Sequence, residues 1–342
     1  MKQEQLSEIS SLLQTPSRIT ITMHQKPDGD AIGSSLGLYH YLIQKGHQVK
    51  IVAPTDYPDF LKWLPGNDQV MIGPVNPDGA NWAFEGADVI FCLDFNSLHR
   101  INEFEQSVAD AMGTKVMIDH HLEPTDFADL MFWDDKASST AEMIYRLVVG
   151  LGDRDLLNED MAYPLYTGLM TDTGSFRFTS TTPAVHAMAG HLLETGINIT
   201  AIHDRVYSQF SPERLKFFGY CLLNCLHILP QYETAYIKLE RQVFKDFNVK
   251  TGGTEGLVNY ALGIQGIKMG VLISEHNELV KLSFRSREDV SAKDYAEHFD
   301  GGGHYYAAGG RSHTSLEETE QELLELLASK YQLSLDEKPQ LT

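Results

Sequence analysis

Short apolar runs that stop abruptly at Asp or His recur through the first half of the chain. Val116-Met117-Ile118 ends in Asp119-His120-His121. Ile19-Thr20-Ile21-Thr22-Met23 runs into His24-Gln25-Lys26-Pro27-Asp28-Gly29-Asp30, and Val89-Ile90-Phe91-Cys92-Leu93 runs into Asp94. A fourth segment, Tyr166-Thr167-Gly168-Leu169-Met170-Thr171, delivers Asp172 and is read in the same way. Such runs have the pattern of buried strands. Helical patterns lie between them: residues 4–14, then Ala31 to Lys45 with Asp30 as N-cap and Gly46 as stop, then a polar helix near Ile101–Met112. Val49-Lys50-Ile51-Val52 adds a strand, and Pro54, Pro58 and Pro65 mark an irregular crossover. Strands alternating with helices predict right-handed βαβ units and an α/β fold with a doubly wound, mainly parallel sheet.

Ser138-Ser139-Thr140-Ala141-Glu142 has the pattern of a capped helix start, whose exposed N–H groups either receive an anion or serve an ordinary cap. Residues 183–195, 199–209 and 212–227 read as three successive helices without a chemical cluster. After Pro230 the texture changes. Thr234–Leu239 and Lys268–Ile273 are strand-like, and Glu278–Arg285 alternates with period two. A glycine-rich turn, Gly301-Gly302-Gly303-His304, precedes Ala307-Ala308-Gly309-Gly310, and an acidic helix runs from Leu316 to Leu327. The expected organisation is an α/β domain over residues 1–195, a helical linker over 196–229 and a smaller α+β domain over 230–342.

Composition narrows the function classes. At 342 residues with 42% hydrophobic content, the chain can bury two cores. A net charge of −20 argues against coating long nucleic acid, where a basic face is the usual footprint. Short anionic substrates stay open, because bound divalent cations would be the largest local charges in a site. Cys92, Cys221 and Cys225 form neither a disulfide framework nor a Cys-x-x-Cys zinc pattern. No apolar run approaches the ~20 residues of a membrane helix. The N-terminus lacks the basic and apolar regions of a signal peptide, so the expected location is the cytoplasm, without a membrane partner.

In an open parallel sheet, ligands collect outside the carboxyl ends of the strands. His24, Asp28, Asp30, Asp94, Asp119, His120, His121 and Asp172 would then converge. Each alone is commonly a solvated or capping residue, but their joint placement points to a metal site. Hard carboxylate oxygens with some imidazole suit manganese or magnesium, with iron or cobalt as alternatives. The donors exceed what one ion needs. Two ions about 3.5–4 Å apart sharing a carboxylate would use them, which points to metal-assisted phosphoester hydrolysis.

The motifs His24-Gln25-Lys26-Pro27-Asp28-Gly29-Asp30-Ala31, Leu93-Asp94, Asp119-His120-His121 and Thr171-Asp172-Thr173-Gly174, in that order, resemble the four motifs of the DHH phosphoesterase superfamily. Gly301-Gly302-Gly303-His304 with Ala307-Ala308-Gly309 resembles its associated C-terminal domain. Glu255-Gly256-Leu257-Val258-Asn259, Ser283-Phe284-Arg285-Ser286-Arg287 and Thr173-Gly174-Ser175-Phe176-Arg177 narrow the resemblance to the nanoRNase/pAp-phosphatase group. That resemblance implies hydrolysis of very short oligoribonucleotides and of 3′-phosphoadenosine 5′-phosphate (pAp), with the active site in a cleft between the domains. It implies one manganese on His24, Asp28 and Asp94, and a second on Asp30, Asp94, His120 and Asp172. His121 would face the scissile phosphate, with Asp119 orienting a ligand. Arg177, Arg285, Arg287, Gly301, Gly302, Gly303 and His304 would contact substrate. Tyr305 and Tyr306 are read as packing residues, with base stacking as the alternative. Rival activities are hydrolysis of cyclic or linear dinucleotides and of polyphosphate, and from another class, nucleotide-binding regulation by a defunct centre. A homodimer is left open.

Overall fold

A computed structural model describes residues 3–208, 211–249 and 252–331. The chain forms two compact units, Met1–Gln209 and Phe210–Thr342. The boundary falls in the stretch read as a linker, and the far ends of the expected domains, residues 1–2 and 332–342, lie outside the described residues. No helix among the described residues is long and apolar enough to cross a membrane.

The first unit holds a six-stranded parallel sheet: β1 (Arg18–Met23), β2 (Gln48–Ala53), β3 (Val70–Ile72), β4 (Val89–Leu93), β5 (Thr114–Asp119) and β6 (Leu130–Trp133). The order is β3-β2-β1-β4-β5-β6. The winding therefore reverses between β1 and β4, the place where α/β sheets open a crevice for ligands. Register makes the strand ends level: Met23 pairs with Leu93, and Leu93 with Ile118. The next residues, His24, Asp94 and Asp119, consequently leave the sheet side by side.

The strands alternate between two cores. Ile19, Ile21, Met23, Val89, Phe91 and Leu93 face the larger one, and Ile90 and Cys92 the other. Thr20 and Thr22 interrupt the apolar run of β1 at little cost, because their hydroxyls donate to the Ala83 and Val52 carbonyls at 2.8 and 3.0 Å. Helices Gln3–Leu12, Gly29–Gln44, Thr140–Gly150, Glu159–Asp172 and Pro183–Leu193 cover the larger core, and Pro77–Glu85 and Glu105–Asp110 cover the other face.

Several elements differ from the sequence reading. The first long helix starts at Gly29, and its N-cap is Asp28, not Asp30. Only a side chain two or three positions ahead reaches the first orphan N–H groups. Asp28 Oδ1 takes those of Asp30 and Ala31 at 3.0 and 3.1 Å. Asp172 ends a helix, Glu159–Asp172, and not a strand. Met161, Leu165 and Leu169 recur at helical spacing behind the Asn158 cap, and the short strand-like window masked that period. The polar helix near Ile101 is a 3₁₀ stretch, Leu98–Phe104, kinked at Asn102 with φ 54°, followed by the short helix Glu105–Asp110. The helix read over 199–209 is Ile199–His203 followed by a π-turn, Asp204–Ser208, and residue 209 lies outside the described residues.

The second unit is an α+β fold with a mixed sheet: β7 (Leu226–Leu229), β8 (Thr234–Leu239), β9 (Met269–Glu275), β10 (Val280–Ser286), β11 (Gly302–His304) and β12 (Ala307–Ser312), in the order β11-β12-β10-β9-β8-β7. Only β8 and β9 run parallel. The third connector helix stops at Asn224, because the chain turns into β7. Its Phe217, Phe218 and Cys221, with Cys225, pack into the core of this unit. The glycine triplet leads into an edge strand, Gly302–His304, and is not a turn. A Cβ at Gly301 would stand 2.0 Å from the Gly309 carbonyl, so the close pairing of β11 with β12 requires glycine there.

Helices Gly29–Gln44 and Glu159–Asp172 touch along their backbones at Gly33, where a Cβ would meet the Pro164 carbonyl at 2.4 Å and Gly168 N at 2.9 Å. Neither is a flexible side chain that can move aside. Gly33→Ala is therefore expected to separate the helices that carry Asp30 and Asp172, destabilising the first unit by about 1–3 kcal/mol. A thermal melt of the variant that overlays the wild type would contradict this contact.

Candidate metal centre

Each donor is placed by a local device. β1 ends at Met23, and His24 follows with its Nδ1 2.8 Å from the Gln25 carbonyl. A carbonyl only accepts, so Nδ1 carries a proton and Nε2 is the atom turned to the carboxylates. His120 repeats the device on β5, with Nδ1 3.2 Å from the Ala137 carbonyl. His121 Nδ1 lies 2.7 Å from Asp119 Oδ1. Asp94 leaves β4 with φ 63°, an uncommon conformation for a residue other than glycine, and its carboxylate lies among all three imidazoles.

The donors form two overlapping sets. His24 Nε2 lies 3.4 Å from Asp94 Oδ2 and 3.8 Å from Asp28 Oδ2. His120 Nε2 lies 3.2 Å from Asp172 Oδ2, 3.6 Å from Asp94 Oδ1 and 3.8 Å from Asp30 Oδ2. Asp94 stands in both. Ligands at about 2.1 Å on octahedral corners would be about 3.0 Å apart, close to these separations. Asp28 and Asp172 are the open side of the cluster, with side chains 59% and 26% exposed, whereas those of Asp30 and Asp94 are 1% and 2% exposed.

Electrostatics test whether a cation fits. Burial, then the charges of Asp94, Asp172 and Asp28, pushes the Asp30 carboxyl well above its ordinary range. Burial and neighbouring carboxylates push Asp172 up to about 7 against the pull of His120. For His24, burial favours the neutral ring, but the hydrogen bond to Asp94 and the charges of Asp28 and Asp94 win and raise it to about 9. Burial opposes ionisation of Asp94 as well. Its three imidazole neighbours prevail and hold its carboxyl below the carboxylate range. Protons thus stand where positive charge is wanted, and a divalent cation supplies that charge better. Asp119 Oδ2 is buried with no hydrogen-bond partner among the described residues. The donors suit a hard divalent cation.

All eight predicted residues of the cluster, His24, Asp28, Asp30, Asp94, Asp119, His120, His121 and Asp172, fall within the donor groups of this one site. Thr140 was not anticipated: its hydroxyl donates to Asp94 Oδ1 at 2.8 Å. The helix start seen in the sequence does receive an anion, namely the Asp30 carboxylate, through Thr140 N at 2.6 Å and Ala141 N at 2.8 Å. Arg177 follows Asp172 on a loop in which Gly174, Ser175 and Phe176 are all left-handed, at φ 56°, 60° and 62°. It is exposed, and its Nε donates to the Gly174 carbonyl.

In the second unit, Arg285 is half-buried near the end of β10. Arg287 lies past that strand and donates to the Leu262 carbonyl. Gly302, Gly303 and His304 form β11, with Gly301 just before it. Tyr305 and Tyr306 form the turn that follows, edge to face at 4.8 Å.

Comparison with known proteins gives two domain matches: "DHH family, N-terminal domain" over residues 18–169 and "DHHA1 domain" over residues 232–332. The bifunctional oligoribonuclease and PAP phosphatase NrnA of Thermus thermophilus is 33% identical, over 90% of this chain and 87% of that protein. The crystal structure of an exopolyphosphatase-related protein from Bacteroides fragilis superposes with a TM-score of 0.92 at 36% identity, covering 96% of this chain and 97% of that one. A structure of the exonuclease RecJ bound to manganese shares the fold at 13% identity and TM-score 0.50, covering 95% of this chain and 94% of that one.

Metal-free protein is expected to gain stability when a divalent cation is added. At a hundredfold excess over Kd the gain is about 2.7 kcal/mol, or a rise in Tm of several degrees. Asp94→Asn, which removes the charge shared by both donor sets, is expected to lose that rise. Equal cation-induced shifts in the variant and the wild type would argue against the site.

Proposed function

The chain belongs to the DHH family, with a DHHA1 domain behind the DHH domain, and from that premise we propose that it hydrolyses short oligoribonucleotides and converts pAp to AMP. It is a hydrolase acting on phosphoester bonds. The observation that carries the proposal is the shared position of Asp94 between two donor sets. We assign His24, Asp28 and Asp94 to one cation and Asp30, Asp94, His120 and Asp172 to a second, manganese before magnesium or cobalt. Cations held there supply Lewis acidity and positive charge at the phosphoryl group.

The chain's own residues do the rest. The carbonyls of Gln25 and Ala137 hold His24 and His120 with their Nε2 atoms toward the carboxylates. Asp119 fixes His121 by its Nδ1, which leaves Nε2 as the atom that holds a proton for the departing oxygen. Arg177, Arg285, Arg287, Gly301, Gly302, Gly303 and His304 are proposed to hold the nucleotide part of the substrate, with guanidinium groups suited to a terminal phosphate. The net charge of −20 favours short substrates over long nucleic acid.

Polyphosphate is the rival substrate, on the strength of the exopolyphosphatase-related structural neighbour. The test is product analysis with manganese on a 5′-labelled RNA dinucleotide, a 24-mer, pAp and polyphosphate. Fast turnover of the dinucleotide and pAp, with the 24-mer nearly untouched, is expected. Preferential release of phosphate from polyphosphate would replace this reading. Arg285→Ala is expected to raise KM with little change in kcat, the mark of uniform substrate binding. An unchanged KM would remove Arg285 from the substrate contacts.

A further inference from the structure

Thr140 is fully buried, and its hydroxyl is spent on one atom. A carboxylate can only accept, so the hydroxyl hydrogen is fixed toward Asp94 Oδ1 and the bond at 2.8 Å has a defined direction. Asp94 needs such a guide. It leaves its strand with a left-handed backbone, and its two oxygens face different imidazoles. Oδ2 faces His24 at 3.4 Å, while Oδ1 faces His120 at 3.6 Å. The same turn reaches the neighbouring donor as well, since Thr140 N and Ala141 N donate to the two oxygens of Asp30. One hydroxyl and two N–H groups therefore orient two carboxylates of the same set, Asp30 and Asp94 Oδ1. Each accepting oxygen retains a lone pair for a cation.

The turn is itself braced. Ser139 caps the helix by accepting from Glu142 N at 3.0 Å. Buried Glu142 does not close an ordinary capping box onto Ser139. Its Oε2 accepts from both the N–H and the hydroxyl of Ser138 at 2.7 Å, and its other oxygen pairs with Arg146. Arg146 is tied in turn to Asp134 at 2.8 Å. A threonine serving only as the first residue of a helix would have no reason to be so enclosed and so aimed.

We propose that Thr140 is a positioning residue that sets Asp94 Oδ1 for the cation held with Asp30, His120 and Asp172, and leaves the cation on His24 and Asp28 to the other oxygen. The proposal rests on the two-cation reading given above. The test is calorimetric titration of manganese into metal-free wild type, Thr140→Val and Thr140→Ser, with a thermal melt of each metal-free protein. Wild type is expected to bind two ions per chain. Thr140→Val is expected to lose about 10–100-fold in the affinity of one ion, as is usual when an outer partner of a ligand is removed, and to keep the other. Thr140→Ser, which retains the hydroxyl, is expected to bind both as wild type does. Wild-type binding of both ions by Thr140→Val would overturn the proposal, as would equal weakening of both ions or of both variants. Fewer than two ions in wild type would overturn the two-cation reading itself, and the division of oxygens with it.

Discussion

Five carboxylates and three imidazoles occupy one small volume at the end of a parallel sheet. Like charges about 4 Å apart repel by about 4 kcal/mol at an effective dielectric of 20. The cluster is therefore affordable only with compensating positive charge. Its imidazoles meet part of that need, and the raised carboxyls of Asp30 and Asp172 show what is left over. Divalent cations resolve the repulsion, and the same charge then serves an anionic phosphoester. Stability and chemistry thus place the same demand on the site.

Precision comes from elements that the fold's own register and hydrogen bonds place. β1, β4 and β5 end level because parallel register fixes them, which sets His24, Asp94 and Asp119 in a row. Asp30 and Asp172 come from two helices that touch at Gly33 and Gly168. The helix starting at Thr140 closes the group by donating to Asp30 and Asp94. Each carboxylate on the cluster's buried side is thus held by backbone that already has its own hydrogen bonds.

Much of this was legible in the sequence. Apolar runs broken by Asp or His announced β1, β4 and β5, because a buried strand tolerates such residues only where it leaves the core. What was hidden depended on distance in space. Thr140 binds Asp94 across 46 positions and Asp30 across 110, and no local pattern encodes such a pairing. Asp172 was read onto the wrong element, since a short window cannot separate a buried helix from a buried strand. Asp28 and Asp30 exchanged capping roles because both precede the same apolar helix. The glycine triplet looked like a turn, whereas its glycines serve the close approach of the edge strand β11 to β12.

The most direct test of the central claim is anomalous diffraction at the manganese edge from crystals of the manganese-loaded protein. Two peaks, one on each side of the Asp94 carboxylate, are expected: one bounded by His24 and Asp28, the other by Asp30, His120 and Asp172. A single peak, or peaks away from Asp94, would contradict the shared-carboxylate centre from which the proposed activity is derived.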